Sequence, residues 1–183
     1  DRAFLQYFYK HEGYYNLEEV ALTFGKVTSN SPATAEASLV LYDENTRTGK
    51  PGSEIYRQAF TLAEAQAAID AGEPLVVSLP QSVQMPQSFF AGFDIKDLAS
   101  TDTLAMPIST GSSTVGQESY LQDFQANWVT FAQEGLSNGA LPIVPTLYND
   151  TTDVDLQIQA EAVQGSQLTY QFDATASGIS VYQ

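Results

Sequence analysis

AEASLVLYDENTRTGKPGSEIYRQAFTL, residues 35–62, decides the fold class of this chain. Residues 35–43 form a run of β-formers. It is closed by a turn-rich stretch, residues 44–52 (ENTRTGKPG), and a second run follows over 54–62. Working outward, residues 16–27 read as a strand with Val20, Leu22 and Phe24 turned to one face. Further strands are expected over 74–79, 88–95, 103–108, 128–131 and 141–147, and the aromatic first ten residues are read as another. Turn signals recur at about the 8–12 residue spacing of an antiparallel sandwich or barrel. One helix interrupts the pattern. In residues 61–72 (TLAEAQAAIDAG), Thr61 is the N-cap, Glu64 stands three residues on, and Gly72 is the stop.

The texture changes after Asn149. Residues 149–153 (NDTTD) read as a polar hinge, followed by an alternating strand over 154–162 with Leu156, Ile158 and Ala160 on one face. Gly165 and Ser166 turn the chain into a strand over 168–174, and a third strand is expected over 179–182. Three strands do not bury a stable core by themselves. The expected division is therefore residues 1–149 as one β-sandwich and 150–183 as the front half of another domain. The chain opens on Asp1 with no signal peptide, which reads as an excised or processed fragment.

Composition narrows the function. Lys and Arg number 7 against 22 Asp and Glu, a net charge of -15. Such a surface repels a phosphate backbone and anionic lipid, so neither nucleic acid nor membrane insertion is expected. A hydrophobic fraction of 43% supplies a core, and the apolar runs are far too short to span a bilayer. The absence of cysteine excludes disulfides and thiol chemistry.

Catalysis finds little support. His11 is the only histidine, it lies in a polar turn (KHEG), and no G-x-S-x-G elbow accompanies it. Paired carboxylates for glycoside hydrolysis arise by chance among 22 acids, and nothing selects two. Zinc would have a single His and otherwise only carboxylates. Calcium fits better. Asp43, Glu44 and Asn45 offer hard oxygen ligands beside Gly49 and Gly52, where the plainer reading is a solvated β-turn. Asp94, Asp97 and Asp102 form a weaker cluster, and Asn149, Asp150 and Asp153 a third at the hinge. Among the aromatics, Phe24, Phe60, Phe89 and Phe93 read as core. Tyr14, Tyr15, Tyr120 and Trp128 lie nearest turns and are the candidates for stacking on sugar rings, although Trp128 by itself reads first as core. Thr103 and Thr151 follow Asp in the short Asp-Thr pattern of bacterial O-glycosylation, and Asn149-Asp150-Thr151 also fits an N-glycosylation sequon.

Several segments, in order, carry a family resemblance: DRAFLQYF (1–8), VALTFGKV (20–27), LVLYDENTRTGKPGSEI (39–55), SFFAGFDI (88–95), TDTLAMPIST (101–110), Trp128 and LPIVPTLY (141–148). Together they resemble a jelly-roll-type β-sandwich module of secreted multidomain Bacteroidota proteins, which sits ahead of a type IX secretion sorting domain. TLAEAQAAIDAG departs from that pattern. Residues 154–183 resemble the opening strands of a PKD-type, immunoglobulin-like domain, which usually continues into Trp-Asp-Phe-Gly-Asp-Gly. The resemblance implies a non-catalytic, extracellular or cell-surface module exported by the type IX machinery. Its work would be as a spacer or as an adhesive or glycan-binding domain, with neighbouring domains, glycan or extracellular protein as partners. A self-assembling surface subunit is the alternative, and a hydrolase a remote one.

If an acidic loop holds structural calcium, free calcium at about a hundred times its dissociation constant should add roughly 2.7 kcal/mol of stability. Thermal unfolding with calcium and with a chelator reads this directly, and an unchanged melting temperature removes the ion from the account.

Overall fold

The computed structural model describes residues 3–9, 16–109, 119–123, 125–136 and 139–148, and the backbone of 158–161 and 169–172. Strands come in chain order as β1 (Ala3–Tyr9), β2 (Asn16–Leu22), β3 (Lys26–Thr28), β4 (Glu36–Asn45) and β5 (Lys50–Thr61). Helix α1 (Leu62–Ala71) precedes β6 (Leu75–Gln84), β7 (Ser88–Asp94), β8 (Thr103–Ala105), β9 (Ser119–Gln122), β10 (Trp128–Thr130) and β11 (Ile143–Tyr148). The chain divides into two compact units, Asp1–Asn149 and Asp150–Gln183. In the second unit β12 (Ile158–Glu161) pairs antiparallel with β13 (Thr169–Phe172). The strand expected over 179–182 and the turn at Gly165 and Ser166 lie outside the described residues.

The first unit is an all-β sandwich of antiparallel sheets. One sheet has six strands in the order β10-β9-β1-β7-β4-β5, the other three in the order β11-β2-β6. A short β3–β8 pair lies beside them. The main core joins the two sheets. It packs Leu17, Val20 and Leu22 of β2, Val77 and Leu79 of β6 and Ile143 of β11 with Leu39 and Leu41 of β4, Phe89 and Phe93 of β7 and Leu121 of β9. Phe24 meets Phe93 edge to face at 5.3 Å, and Phe60 is close by at 5.7 Å. All four phenylalanines assigned to the core are buried there.

α1 forms where its capping signals place it. Thr61 Oγ1 accepts the Glu64 backbone N–H at 3.2 Å, and Glu64 Oε2 accepts the Thr61 N–H in return. Gly72 closes the helix at φ 71°, a left-handed conformation that costs glycine little. Leu62 and Ala65 are buried in the core. The helix carries the chain from β5 in the six-stranded sheet to β6 in the three-stranded one. It is thus the crossover between layers.

Several elements differ from the sequence reading, among them the strand expected over 103–108, which ends at Ala105, and the one expected over 141–147, which begins at Ile143. The strand expected over 16–27 is broken at residues 23–25, because β2 pairs with β6 and β11 while β3 pairs with β8. The turn expected over 44–52 shrinks to 46–49, since Glu44 and Asn45 pair with Pro51 and Lys50. β6 runs through Pro80 to Gln84, which its place at a sheet edge permits. β9 was not anticipated at all. Its ordering rests on a buried polar joint with β1: Gln6 Oε1 accepts the Ser119 hydroxyl at 2.8 Å and the Leu141 N–H at 3.0 Å.

Replacing Thr61 by Ala should destabilise the first unit by about 1 kcal/mol, the usual cost of a lost N-cap. Chemical denaturation of the two proteins checks it, and an unchanged midpoint would show that packing alone holds the helix.

A candidate binding face on the six-stranded sheet

Strand alternation sends Phe89, Ala91 and Phe93 of β7 into the core and turns Phe90, Gly92 and Asp94 outward. The register then builds rows across the outer face. Tyr7, Phe90 and Tyr42 make one row, and Tyr120, Leu5, Gly92, Val40 and Arg57 the next. Leu5, Val40, Phe90 and Tyr120 form a second buried cluster, against which Tyr7, Tyr42 and Trp128 pack half-exposed. Gly92 is required here, because a Cβ would run into the Phe4 carbonyl oxygen and the Leu5 side chain.

This face is concave. Three strands lie between β10 and β4, a separation of about 19 Å on a flat sheet at roughly 4.8 Å per strand. Yet the rings of Trp128 and Tyr42 stand 5.3 Å apart, edge to face. Register breaks at Tyr42 bend the β4–β5 hairpin, as bulges do. Its tip reaches across to the far strands: Lys50 Nζ donates to the Trp128 carbonyl at 3.0 Å and the Tyr120 hydroxyl to the Gly49 carbonyl at 3.4 Å. On the opposite side Asp123 shapes the turn ahead of Trp128, accepting N–H groups of Gln125 and Asn127 at 2.9 and 2.8 Å. The Asn127 N–H, above all, holds that carboxyl below its ordinary pKa.

An ionic corner adjoins the aromatic rings. Arg57 Nη2 lies 2.7 Å from Glu54 Oε2 and 2.8 Å from Asp94 Oδ2, and its Nε donates to Glu54 Oε1 at 3.1 Å. Asp94 is only 6% exposed, whereas Glu54 is open to solvent. The Tyr42 hydroxyl donates to Glu54 Oε2 at 3.1 Å. Burial, with the Glu54 charge beside it, pushes the Tyr42 phenol up to about 12, so it remains a donor at any ordinary pH. The hydrogen bond from Arg57 lowers the Glu54 pKa, against a smaller opposing effect of burial. Arg57 Nη1 is enclosed and has no hydrogen-bond acceptor among the described residues.

Of the stacking candidates, the structure brings Trp128 and Tyr120 together, while Tyr14 and Tyr15 lie outside the described residues. Tyr120 lies in β9, three residues ahead of the Asp123 turn, but it is only 5% exposed and so forms part of the floor of the face. Trp128 belongs to the outer cluster, not to the core between the sheets. Tyr7, Tyr42 and Arg57 were missed. The first two looked like ordinary strand aromatics, and no local pattern places Arg57 near Asp94, 37 residues on.

Each calcium candidate in the hairpin has a partner of its own within the protein. Asp43 Oδ1 accepts the Ser53 N–H at 2.5 Å, Glu44 Oε2 the Tyr7 hydroxyl at 3.5 Å, and Asn45 Oδ1 the Arg47 N–H at 3.1 Å. Gly52 leaves room for the Asp43 carboxylate. In the second cluster Asp94 is engaged by Arg57, and Asp102 Oδ2 accepts the Ala99 N–H. Among the described residues, no three His, Cys, Asp or Glu side chains are grouped to hold a metal ion. His11, Asn149, Asp150, Asp153 and Thr151 lie outside the described residues, and Thr103 is exposed at the start of β8. A cleft of about 310 Å³ runs along β1 beyond Gln6, with Tyr9 and Leu141 in its walls. Comparison with protein-family models, curated proteins and solved structures returned no match.

Because the Glu54 pKa lies below its ordinary 4.5, its bond to Arg57 stabilises the fold above that pH and is lost as pH falls through the lowered value. Glu54→Gln should therefore cost most near neutrality, the gap to wild type closing as pH falls below the ordinary glutamate pKa and through the lowered one. Melting curves across that range check it, and a gap independent of pH would contradict the assignment.

Proposed function

We propose that this chain is a non-catalytic, glycan-binding module of an exported bacterial protein, and that its concave aromatic face is the binding surface. The observation that carries the reading is the convergence of Tyr7, Tyr42 and Trp128, half-exposed, from three different strands onto one curved face bordered by charged groups. Flat apolar rings with a few polar groups at their margin suit saccharide rings, which offer a C–H face and hydroxyl edges.

The finer parts of this reading rest on the resemblance of the sequence to Bacteroidota modules. They are the jelly-roll wiring, the PKD-type second unit, the extracellular or cell-surface location and export by the type IX machinery. O-glycosylation at the exposed Thr103 belongs with them. A calcium ion held through Asp43, Glu44 and Asn45 would pin the hairpin whose tip carries Gly49 and Lys50 over the aromatic face. One observation favours a spacer or self-assembling role as a second reading. Val76, Ala21 and Val144 form a cross-strand row on the other sheet, with Val76 48% and Val144 61% exposed.

Trp128 is the only tryptophan, so its fluorescence reports on this face alone. Titration with soluble oligosaccharides should shift the emission, and Trp128→Ala should weaken binding at least about tenfold by calorimetry, or roughly 1.4 kcal/mol. Saccharide binding unaffected by Trp128→Ala would place the site elsewhere.

A further inference from the structure

We infer that the corner formed by Glu54, Arg57 and Asp94 is the specificity-determining part of this glycan site, and that it selects uncharged saccharides through their hydroxyl groups. The inference rests on the glycan-binding reading above and deepens it.

An arginine beside aromatic rings ordinarily invites a carboxylate or sulfate ligand. Here that role is already filled from within the protein. Glu54 engages Nε and Nη2 in a two-point contact, and Asp94, from β7, takes the remaining reach of Nη2. One guanidinium faces two carboxylates, so the corner as a unit is an anion. Lys50 is likewise bonded to the Trp128 carbonyl. Lys96 lies near enough for Glu54 to sense its charge, but it is exposed, where solvent and salt screen it. With a net charge of -15 on the whole chain, an acidic polysaccharide would be repelled at long range, and at this corner it would meet an Arg57 whose Nε and Nη2 are taken by carboxylates and whose Nη1 is enclosed.

Hydroxyl groups fit the same geometry well. A carboxylate oxygen accepts two hydrogen bonds. Glu54 Oε1 receives only the Arg57 Nε–H among the described contacts, while Oε2 receives Arg57 and Tyr42. Oε1 thus has capacity for a sugar O–H donor, and Glu54 is open to solvent. Arg57 holds Glu54 rigidly, so little side-chain freedom is lost when a ligand arrives. Tyr42 joins the two halves of the site. Its ring meets Trp128 and its hydroxyl meets Glu54, so a sugar stacked on the aromatic pair would bring its hydroxyl edge toward the carboxylate.

The test uses the full chain and compares neutral oligosaccharides of glucose, mannose and xylose with an oligogalacturonate of matching length, by calorimetry and Trp128 fluorescence. At least one neutral series should bind about tenfold or more tightly than the uronate at low salt, with affinity nearly insensitive to added salt. Glu54→Gln and Tyr42→Phe should each weaken neutral binding several-fold, and Glu54→Gln should narrow the gap to the uronate. Tyr42→Phe retains the ring, so its loss reports the hydroxyl–carboxylate link and not stacking. Uronate binding as tight as neutral binding overturns the inference. So does unchanged affinity and selectivity in both variants while Trp128→Ala loses binding, an outcome that leaves the aromatic platform standing. If no saccharide of either class binds, the glycan reading fails and this inference with it.

Discussion

The centre of the six-stranded sheet, β7 and the residues beside it on β1 and β4, is buried on both faces, and much of the molecule follows from that requirement. In β7 every residue from Phe89 to Asp94 is buried. Phe89, Ala91 and Phe93 are covered by the second sheet, but among the described residues no second sheet covers Phe90 on the other side. Burying a phenylalanine is worth about 1.5–3 kcal/mol, and a sheet that left Phe90, Leu5 and Val40 in water would forfeit that several times over. The protein meets the requirement by curvature. The sheet rolls its outer face inward until side chains from opposite strands touch, and the aromatic rings close over the aliphatic floor.

Curvature of this kind depends on defects in regular pairing. The irregular register around Tyr42 bends the β4–β5 hairpin, and the bent tip hands Gly49 and Lys50 to Tyr120 and Trp128. At the other edge, the Asp123 turn brings β10 back on β9 and sets Trp128 against the hairpin side. The polar joint of Gln6, Ser119 and Leu141 secures β9 to β1 between these two. The face that serves as candidate binding surface and the interactions that keep the sheet curved are therefore largely the same residues. Ligand binding at this candidate face would thus be coupled to the stability of the sheet through Tyr42 and Trp128.

Legibility in the sequence tracked how local the cause was. The helix over 61–72 was readable almost to the residue, because its N-cap, its capping box and its Gly72 stop act within a single turn. The hairpin of β4 and β5 was readable for the same reason, though pairing extended further into the acidic stretch than turn composition implied. β9 escaped notice because four residues of SYLQ have no strong period, and what orders them is a glutamine 113 residues away. Arg57 escaped because its meaning lies in Asp94, two strands over. The mixed ion corner exists only once β5, β4 and β7 lie side by side.

By itself the sequence determined the all-β class, the place and limits of helix α1, and the aromatic part of the core between the sheets, with Val20 and Leu22 beside it. Each of these follows from spacing along the chain, because alternation at period two selects a strand face and capping chemistry acts over three or four residues. Only the tertiary structure decided that a second apolar cluster forms on the far face of the larger sheet, that the face is concave, and that Trp128, Tyr42, Glu54 and Arg57 meet there. Those facts depend on strand order and sheet curl. Strands distant in the chain become neighbours through long-range pairing, and no local periodicity encodes which of their outward side chains will share a surface.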